Sequence, residues 1–185
     1  MFIQTEATPN PASMKFLPGR PVMEDGVVDF TDADTAAEAS PLAARLFAVE
    51  GVTGVYLGRD FITVTKADAE EWHDLKAAVL GAIMEHFMSG DPVVIEGAVA
   101  GEAQSSDEDD EVVRQIRELI DTRVRPAVAQ DGGDIVFHGF ERGVVYLHMR
   151  GACSGCPSSV VTLKNGIENL LRYYVPEVSE VRAIS

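Results

Sequence analysis

Cysteine is scarce in this chain of 185 residues, because only Cys153 and Cys156 occur. Two cysteines are too few for a disulfide framework, so we expect a reducing compartment. No apolar run approaches the roughly 18 residues of a transmembrane helix. The first residues have no basic, long apolar or Arg-rich amphipathic pattern, so we expect no signal or transit peptide. These absences predict a cytoplasmic bacterial protein, with a mature mitochondrial matrix protein as the alternative.

Basic residues are also few, with 15 Lys and Arg against 30 Asp and Glu. Residues 1–100 hold 16 acids and 6 bases, a net charge of −10, and residues 101–111 hold 6 acids and no base. Residues 112–185 are near neutral, with 8 acids and 9 bases. Such acidity disfavours nucleic acid and anionic membrane as partners. It either solubilises the protein or forms an acidic docking face for basic partners.

A polar, acidic segment divides the chain. Residues 101–110 have almost no apolar side chains, so they cannot bury enough surface to offset the entropy of ordering. We therefore predict a domain at 1–98, a flexible acidic linker at 99–108 and a domain at 109–185. The expected fold class is α+β, with two small two-layer α/β domains.

The first domain has mixed helix and strand signals. Ser40-Pro41 predicts a helix start, with an N-cap followed by a proline at the first helical position. Apolar spacing predicts a second helix over 70–87. Alternation and turn residues predict strands at the following places: 2–8, 14–17, 27–30, 52–57, 61–65 and 93–96. This half has no cysteine, glycine fingerprint or clustered metal ligands.

The second domain has the predicted order α-β-β-α-β. Its first helix begins near Glu111, and Pro126 is expected to kink or end it. A turn at 131–134 precedes the remaining elements. These are strands at 135–140 and 144–149, a helix at 158–174 and a strand at 178–184.

Both cysteines lie in the loop between the second strand and the second helix. Cys156 directly precedes Pro157, the expected first residue of that helix. The positive end of a helix dipole favours an anion, so we expect lowered thiol pKa values here. Gly151 and Gly155 allow the loop to wrap closely around a bulky group. The pair can therefore bind metal or act as a nucleophile.

A lone CxxC has several interpretations. A dithiol that exchanges with disulfides is one, and half of a shared metal site is another. A thioredoxin-type motif lies near a βαβ crossover, whereas a hairpin is expected here. A structural zinc site needs four ligands, but His138 and His148 are expected on a solvated sheet face. Asp131 and Asp134 are better explained by a turn than by metal ligation.

Longer motifs give the chain a family resemblance. Gly151-Ala152-Cys153-Ser154-Gly155-Cys156-Pro157-Ser158-Ser159, after Gln130-Asp131-Gly132-Gly133-Asp134, resembles the C-terminal domain of NifU and the Nfu proteins. The first domain is similar to the Nfu N-terminal domain through Phe2-Ile3-Gln4-Thr5, Thr8-Pro9-Asn10-Pro11 and Phe61-Ile62-Thr63-Val64-Thr65. The resemblance implies an iron–sulfur carrier. Cys153 and Cys156 from each of two chains would hold one 4Fe–4S cluster at a two-fold interface.

The leading hypothesis is therefore a homodimeric cluster carrier without catalytic turnover. It would receive a cluster from an upstream assembly scaffold and deliver it to apo iron–sulfur enzymes. The main rival is a thiol–disulfide oxidoreductase that uses the same cysteine pair. A third hypothesis is an interaction module that binds zinc between two chains.

Overall fold

The chain divides into two compact units, Met1–Ala103 and Gln104–Ser185. The computed structural model describes residues 1–24, 26–98, 111–154 and 157–184, with the backbone only for 157–159. The predicted linker, 99–108, lies outside the described residues, and the predicted domain bounds stay a prediction. None of the described helices combines the length and apolar character needed to cross a membrane.

The N-terminal unit has an antiparallel sheet and helices. In chain order, the elements are β1 Gln4–Ala7, β2 Ser13–Leu17, β3 Val28–Phe30, α1 Ala33–Ala39, α2 Pro41–Phe47, β4 Val52–Leu57, β5 Ile62–Lys66 and α3 Trp72–Ser89. The strand order in the sheet is β1-β2-β5-β4-β3, so β1 and β3 are the edge strands.

Alternation along the central strands forms the core of this unit. Phe16 lies opposite Ile62, and Val55 lies opposite Val64, so these pairs share one face of the sheet. That face is covered by apolar side chains from α2 and α3. The buried helical residues are Leu42, Ala43, Leu46, Val79 and Ile83.

Two details of this unit differ from the predictions. Helix α1 was not predicted, and the strand predicted at 93–96 is not formed. The backbone there has other partners, because the Ile95 N–H donates to the Ala39 carbonyl at 2.8 Å. The Ser40 hydroxyl donates to the Val93 carbonyl. The predicted helix start at Ser40 is confirmed, since its Oγ accepts from the Ala43 N–H at 3.0 Å.

The C-terminal unit has the predicted order α-β-β-α-β. Strand β7 pairs antiparallel with β6 and parallel with β8, so the three-stranded sheet is mixed. The fold class is α+β, as predicted. The elements are α4 Glu111–Leu119, a π-helical segment Ile120–Val124, α5 Arg125–Gln130, β6 Gly133–Glu141, β7 Val144–Gly151, α6 Pro157–Tyr174 and β8 Glu180–Ile184.

Pro126 does not end the first helix of this unit. The helix continues through the π-helical segment into α5, where the Arg125 N–H donates to the Ile120 carbonyl five residues earlier. A proline ring clashes with the carbonyl four residues before it, and a wider turn relieves that clash. Pro126 therefore changes the helix type locally and does not break the helix.

Both helical layers pack on one face of the mixed sheet. Val145, Leu147 and Met149 of β7 are buried in the core cluster, while the residues between them are only partly buried. The helical side of this cluster comes from α4, the π-helical segment, α5 and α6. Its fully or nearly buried members are Ile116, Ile120, Val124, Val128, Ile167 and Leu171.

Candidate metal centre

Cys153 lies in the loop between β7 and α6, as predicted. Gly151 ends the strand with φ = 61°, a left-handed conformation that favours glycine. The Ser154 N–H donates to the Gly151 carbonyl at 3.1 Å, so the chain turns at this point. Helix α6 begins at Pro157. Cys156 and Gly155 lie outside the described residues.

The cysteine loop packs closely on the start of β6. Gly133 lies opposite Gly151 in the β6–β7 pairing, and the Ala152 N–H donates to the Gly132 carbonyl at 3.2 Å. A Cβ built on Gly133 would overlap the Cys153 Sγ and lie 3.1 Å from the Cys153 backbone nitrogen. Gly133 therefore leaves the space that the Cys153 thiol occupies.

This contact was not predicted from the sequence. Asp131-Gly132-Gly133-Asp134 was interpreted as a turn, and a turn is present at residues 131 and 132. The second glycine, however, lies in β6, and its missing side chain leaves space for the cysteine loop 20 positions later. Only the distance across the sheet reveals this role, because nothing local in the sequence requires a missing side chain at 133.

The Cys153 thiol is buried, with 7% of the residue exposed. Its pKa is raised to about 12, first by burial and then by the charges of Asp131 and Asp134. The predicted lowering of the thiol pKa is therefore wrong for Cys153 in the metal-free chain. Burial outweighs the helix dipole, since it removes the water that would solvate a thiolate. The thiol stays protonated at neutral pH until a cation displaces the proton.

Asp134 has a salt-bridge partner of its own. Its carboxylate is 5% exposed and accepts two hydrogen bonds of 2.9 Å from the Nε and Nη2 of Arg125. Arg125 also lies 3.4 Å from the exposed Asp121. A bidentate pair of this kind fixes both partners geometrically. Asp134 thus joins α5 to β6 beneath the cysteine loop.

The described residues of one chain do not supply a complete metal site. They contain no group of three or more His, Cys, Asp or Glu side chains that could hold a metal ion. His138 is exposed and His148 is half-buried, on the strand positions that alternate with the core. The pKa of His148 is lowered, first by burial and then by Arg150 and His138. Among the described residues, Cys153 is the candidate metal ligand.

Two family models match the chain, one on each unit. The model described as "Scaffold protein Nfu/NifU N terminal" matches residues 3–90. The model described as "NifU-like domain" matches residues 116–182, which include the cysteine loop. Fold and sequence together define a two-domain protein of the Nfu/NifU class.

Similar proteins cover the chain end to end. The human protein named "NFU1 iron-sulfur cluster scaffold homolog, mitochondrial" is 54% identical over 185 residues, which are 100% of this chain and 72% of that protein. The protein of the same name from Drosophila sechellia is 52% identical, and the chain spans 65% of its length. A solution NMR structure of a NifU-like protein from Saccharomyces cerevisiae is 25% identical, covers 52% of this chain and 86% of that one, and has a TM-score of 0.42. The chain belongs to the family of Nfu-type iron–sulfur cluster scaffold proteins.

Proposed function

We propose that the chain is a carrier that binds a labile 4Fe–4S cluster and delivers it to apo-proteins. Cys153 and Cys156 are the ligands, contributed by each of two chains. The observation that carries this proposal is the position of the chain's only cysteine pair in the β7–α6 loop of a NifU-like domain. The related proteins are named as cluster scaffolds, which supports a carrier without catalytic turnover of its own.

The number of thiols requires a dimer. An iron–sulfur cluster of this type takes four cysteine thiolates, and one chain has two. An isologous contact brings the same loop of both chains together, so two copies complete the ligand set. Loading and dimerisation are then one equilibrium.

Protons compete with iron at the buried thiol. A thiol with a pKa near 12 returns readily to its protonated form when the metal leaves. The metal-free chain is therefore a stable end state of transfer. Cys153 is buried against Gly133. Proton competition at this thiol supports release of the metal.

The partners follow from this role. An upstream assembly scaffold donates the cluster, and apo iron–sulfur enzymes accept it. The curated relatives are mitochondrial by name, which favours the mitochondrial matrix alternative for this chain. The bacterial cytoplasm stays a prediction from the sequence. Either compartment keeps the thiols reduced.

Anaerobic reconstitution with ferrous iron and sulfide tests the proposal. We expect wild type to become brown and to load iron and sulfide, and Cys153→Ala to lose loading almost completely. Ser154→Ala is the matched control, since it removes one heavy atom from the neighbouring exposed residue and leaves both thiols. Normal loading of Cys153→Ala would contradict the proposal.

The same samples separate the rival functions. A thiol–disulfide oxidoreductase would catalyse disulfide reduction as a monomer without iron. The raised pKa of Cys153 disfavours that activity, because the thiolate is the nucleophile. An inter-chain zinc module would contain zinc and no sulfide after purification without oxygen.

A further inference from the structure

A groove opens on the N-terminal unit, beside the edge of its hydrophobic core. Its volume is about 1120 Å³, and two loops, 20–24 and 90–97, form its walls. Residues 26–28, at the start of the edge strand β3, also line it. We name this feature the N-terminal groove. The chain's cysteines lie in the other unit.

The walls of the groove are fixed by the fold. The Val22 and Met23 N–H groups both donate to the Arg59 carbonyl, at 2.7 and 3.2 Å. The opposite wall is held by the hydrogen bond between Ile95 and Ala39 at 2.8 Å. Binding there would have a small cost in conformational entropy, because these backbone segments are already positioned.

The lining combines apolar and acidic side chains. Val22 and Val28 are buried in its floor, whereas Ile95 keeps 43% of its surface exposed. Exposed apolar surface inside a preformed groove is typical of a binding site. The charged residues that line the groove are three acids, Glu24, Asp91 and Glu96, and one base, Arg20, whose guanidinium lies 4.9 Å from the Phe87 ring centroid.

The charges around the groove select the partner. Residues 1–100 have a net charge of −10, so the whole unit attracts cations toward a groove whose charged lining residues are mostly acidic. The groove also adjoins β3, which pairs with β4 on one side and with no other described strand. An edge strand offers backbone groups to an added strand, so an extended segment fits better than a helix.

We propose that the N-terminal groove binds an extended segment of a partner protein that alternates apolar and basic side chains. The apolar side chains contact the groove floor near Ile95, and the basic ones pair with Glu24 and Glu96 on the two walls. This function goes beyond cluster binding. It gives the acidic unit a role in choosing the proteins that the carrier meets.

Fluorescence anisotropy with short labelled peptides tests this proposal on the metal-free full chain, so the result is independent of cluster loading. The probes are an alternating Lys-Val peptide, its Glu-Val counterpart and a Lys-Ser counterpart. We expect saturable binding of the Lys-Val peptide that weakens as ionic strength rises to about 0.15 M. Both counterparts should bind at least about tenfold more weakly, because the Glu-Val peptide lacks the basic side chains and the Lys-Ser peptide lacks the apolar ones.

Matched charge reversals locate the site. Glu24→Lys with Glu96→Lys should weaken Lys-Val binding about tenfold. Glu50→Lys with Asp68→Lys makes the same change in total charge at exposed positions outside the groove, and should leave most of the affinity. Equal loss in both double variants would overturn the proposal, as would equal affinity for the Lys-Ser peptide. Dimerisation of the chain through this groove in place of peptide binding would overturn it as well.

Discussion

A buried histidine of the N-terminal unit contrasts with a buried aspartate of the C-terminal unit. His86 is fully buried, and neither ring nitrogen has a hydrogen-bond partner among the described residues. Asp134 is 3% exposed, and its carboxylate is held by two hydrogen bonds from Arg125. An unsatisfied buried group costs about 1–3 kcal/mol, whereas a paired one orders the residues around it. The paired group is the one beneath the cysteine loop.

The two units also differ in net charge. The N-terminal half has an excess of acids and no cysteine, whereas residues 112–185 are nearly neutral and contain both cysteines. A metal-cluster site needs a closely fitted loop, and a docking surface needs an accessible, charged rim.

The largest expected effect in this comparison follows from Gly133→Ala. The added Cβ would overlap the Cys153 sulfur, so either the thiol or the strand must move. We expect a loss of about 3 kcal/mol in the stability of the C-terminal unit, and reduced cluster loading. Hydrogen exchange of the β6 and β7 amides measures the first, and iron content measures the second.

Gly139→Ala is the control for that substitution. Gly139 lies in the same strand, has no heavy atom within 4 Å of a built Cβ, and does not have a positive φ. We expect little change in exchange or in loading. Equal effects of the two substitutions would show that close packing at Cys153 is not the cause.

A smaller effect is expected from Asp134→Ala. It leaves the Arg125 guanidinium, which is 24% exposed, without its buried carboxylate, and we expect a cost of about 2 kcal/mol. Asp121→Ala removes only the more exposed partner of Arg125, 3.4 Å away, and should cost less than about 1 kcal/mol.

The fluorescence of Trp72 shows whether Asp134→Ala also affects the unfolding of the N-terminal unit. Trp72 is the only tryptophan of the chain and lies in the N-terminal unit, so its fluorescence reports the unfolding of that unit. The Trp72 transition should not move in Asp134→Ala, while exchange in β6 should accelerate. A shift of both would contradict the assignment of Asp134 to the C-terminal unit's stability.

The smallest effect concerns pH and His86. Burial, and then the charge of Arg45, lower its pKa below the ordinary 6.5, although Asp91 opposes this. The unfolded chain therefore binds the proton more readily than the folded one. Above about pH 6.5 the histidine is neutral in both states and its protonation does not affect stability, and the folded state loses stability as the pH falls below that value.

Urea unfolding followed by Trp72 at pH 7.5 and 5.5 measures this contribution. His86→Leu should reduce the loss of stability at the lower pH, and should not destabilise the unit at pH 7.5, since two unsatisfied nitrogens are removed. The exposed His73 lies in the same helix, and His73→Gln should keep the wild-type pH dependence. An unchanged pH slope in His86→Leu would show that other groups cause it.

The sequence predicted the positions that depend on local signals. The N-cap at Ser40, the β6–β7 hairpin and the loop position of Cys153 follow from neighbouring residues, and all are confirmed. The features that were missed depend on contacts between distant residues. The burial of Cys153 requires Gly133 across the sheet, and the lost strand at 93–96 reflects hydrogen bonds to the α1–α2 junction. No local pattern encodes either contact.

The central claim is that two chains share one cluster through their cysteine pairs. Native mass spectrometry of the anaerobically reconstituted protein, combined with iron and sulfide analysis, tests it most directly. We predict a loaded species of two chains with about four iron and four sulfide ions. A cluster held by a single chain, or a loaded dimer with zinc and no sulfide, would contradict the account.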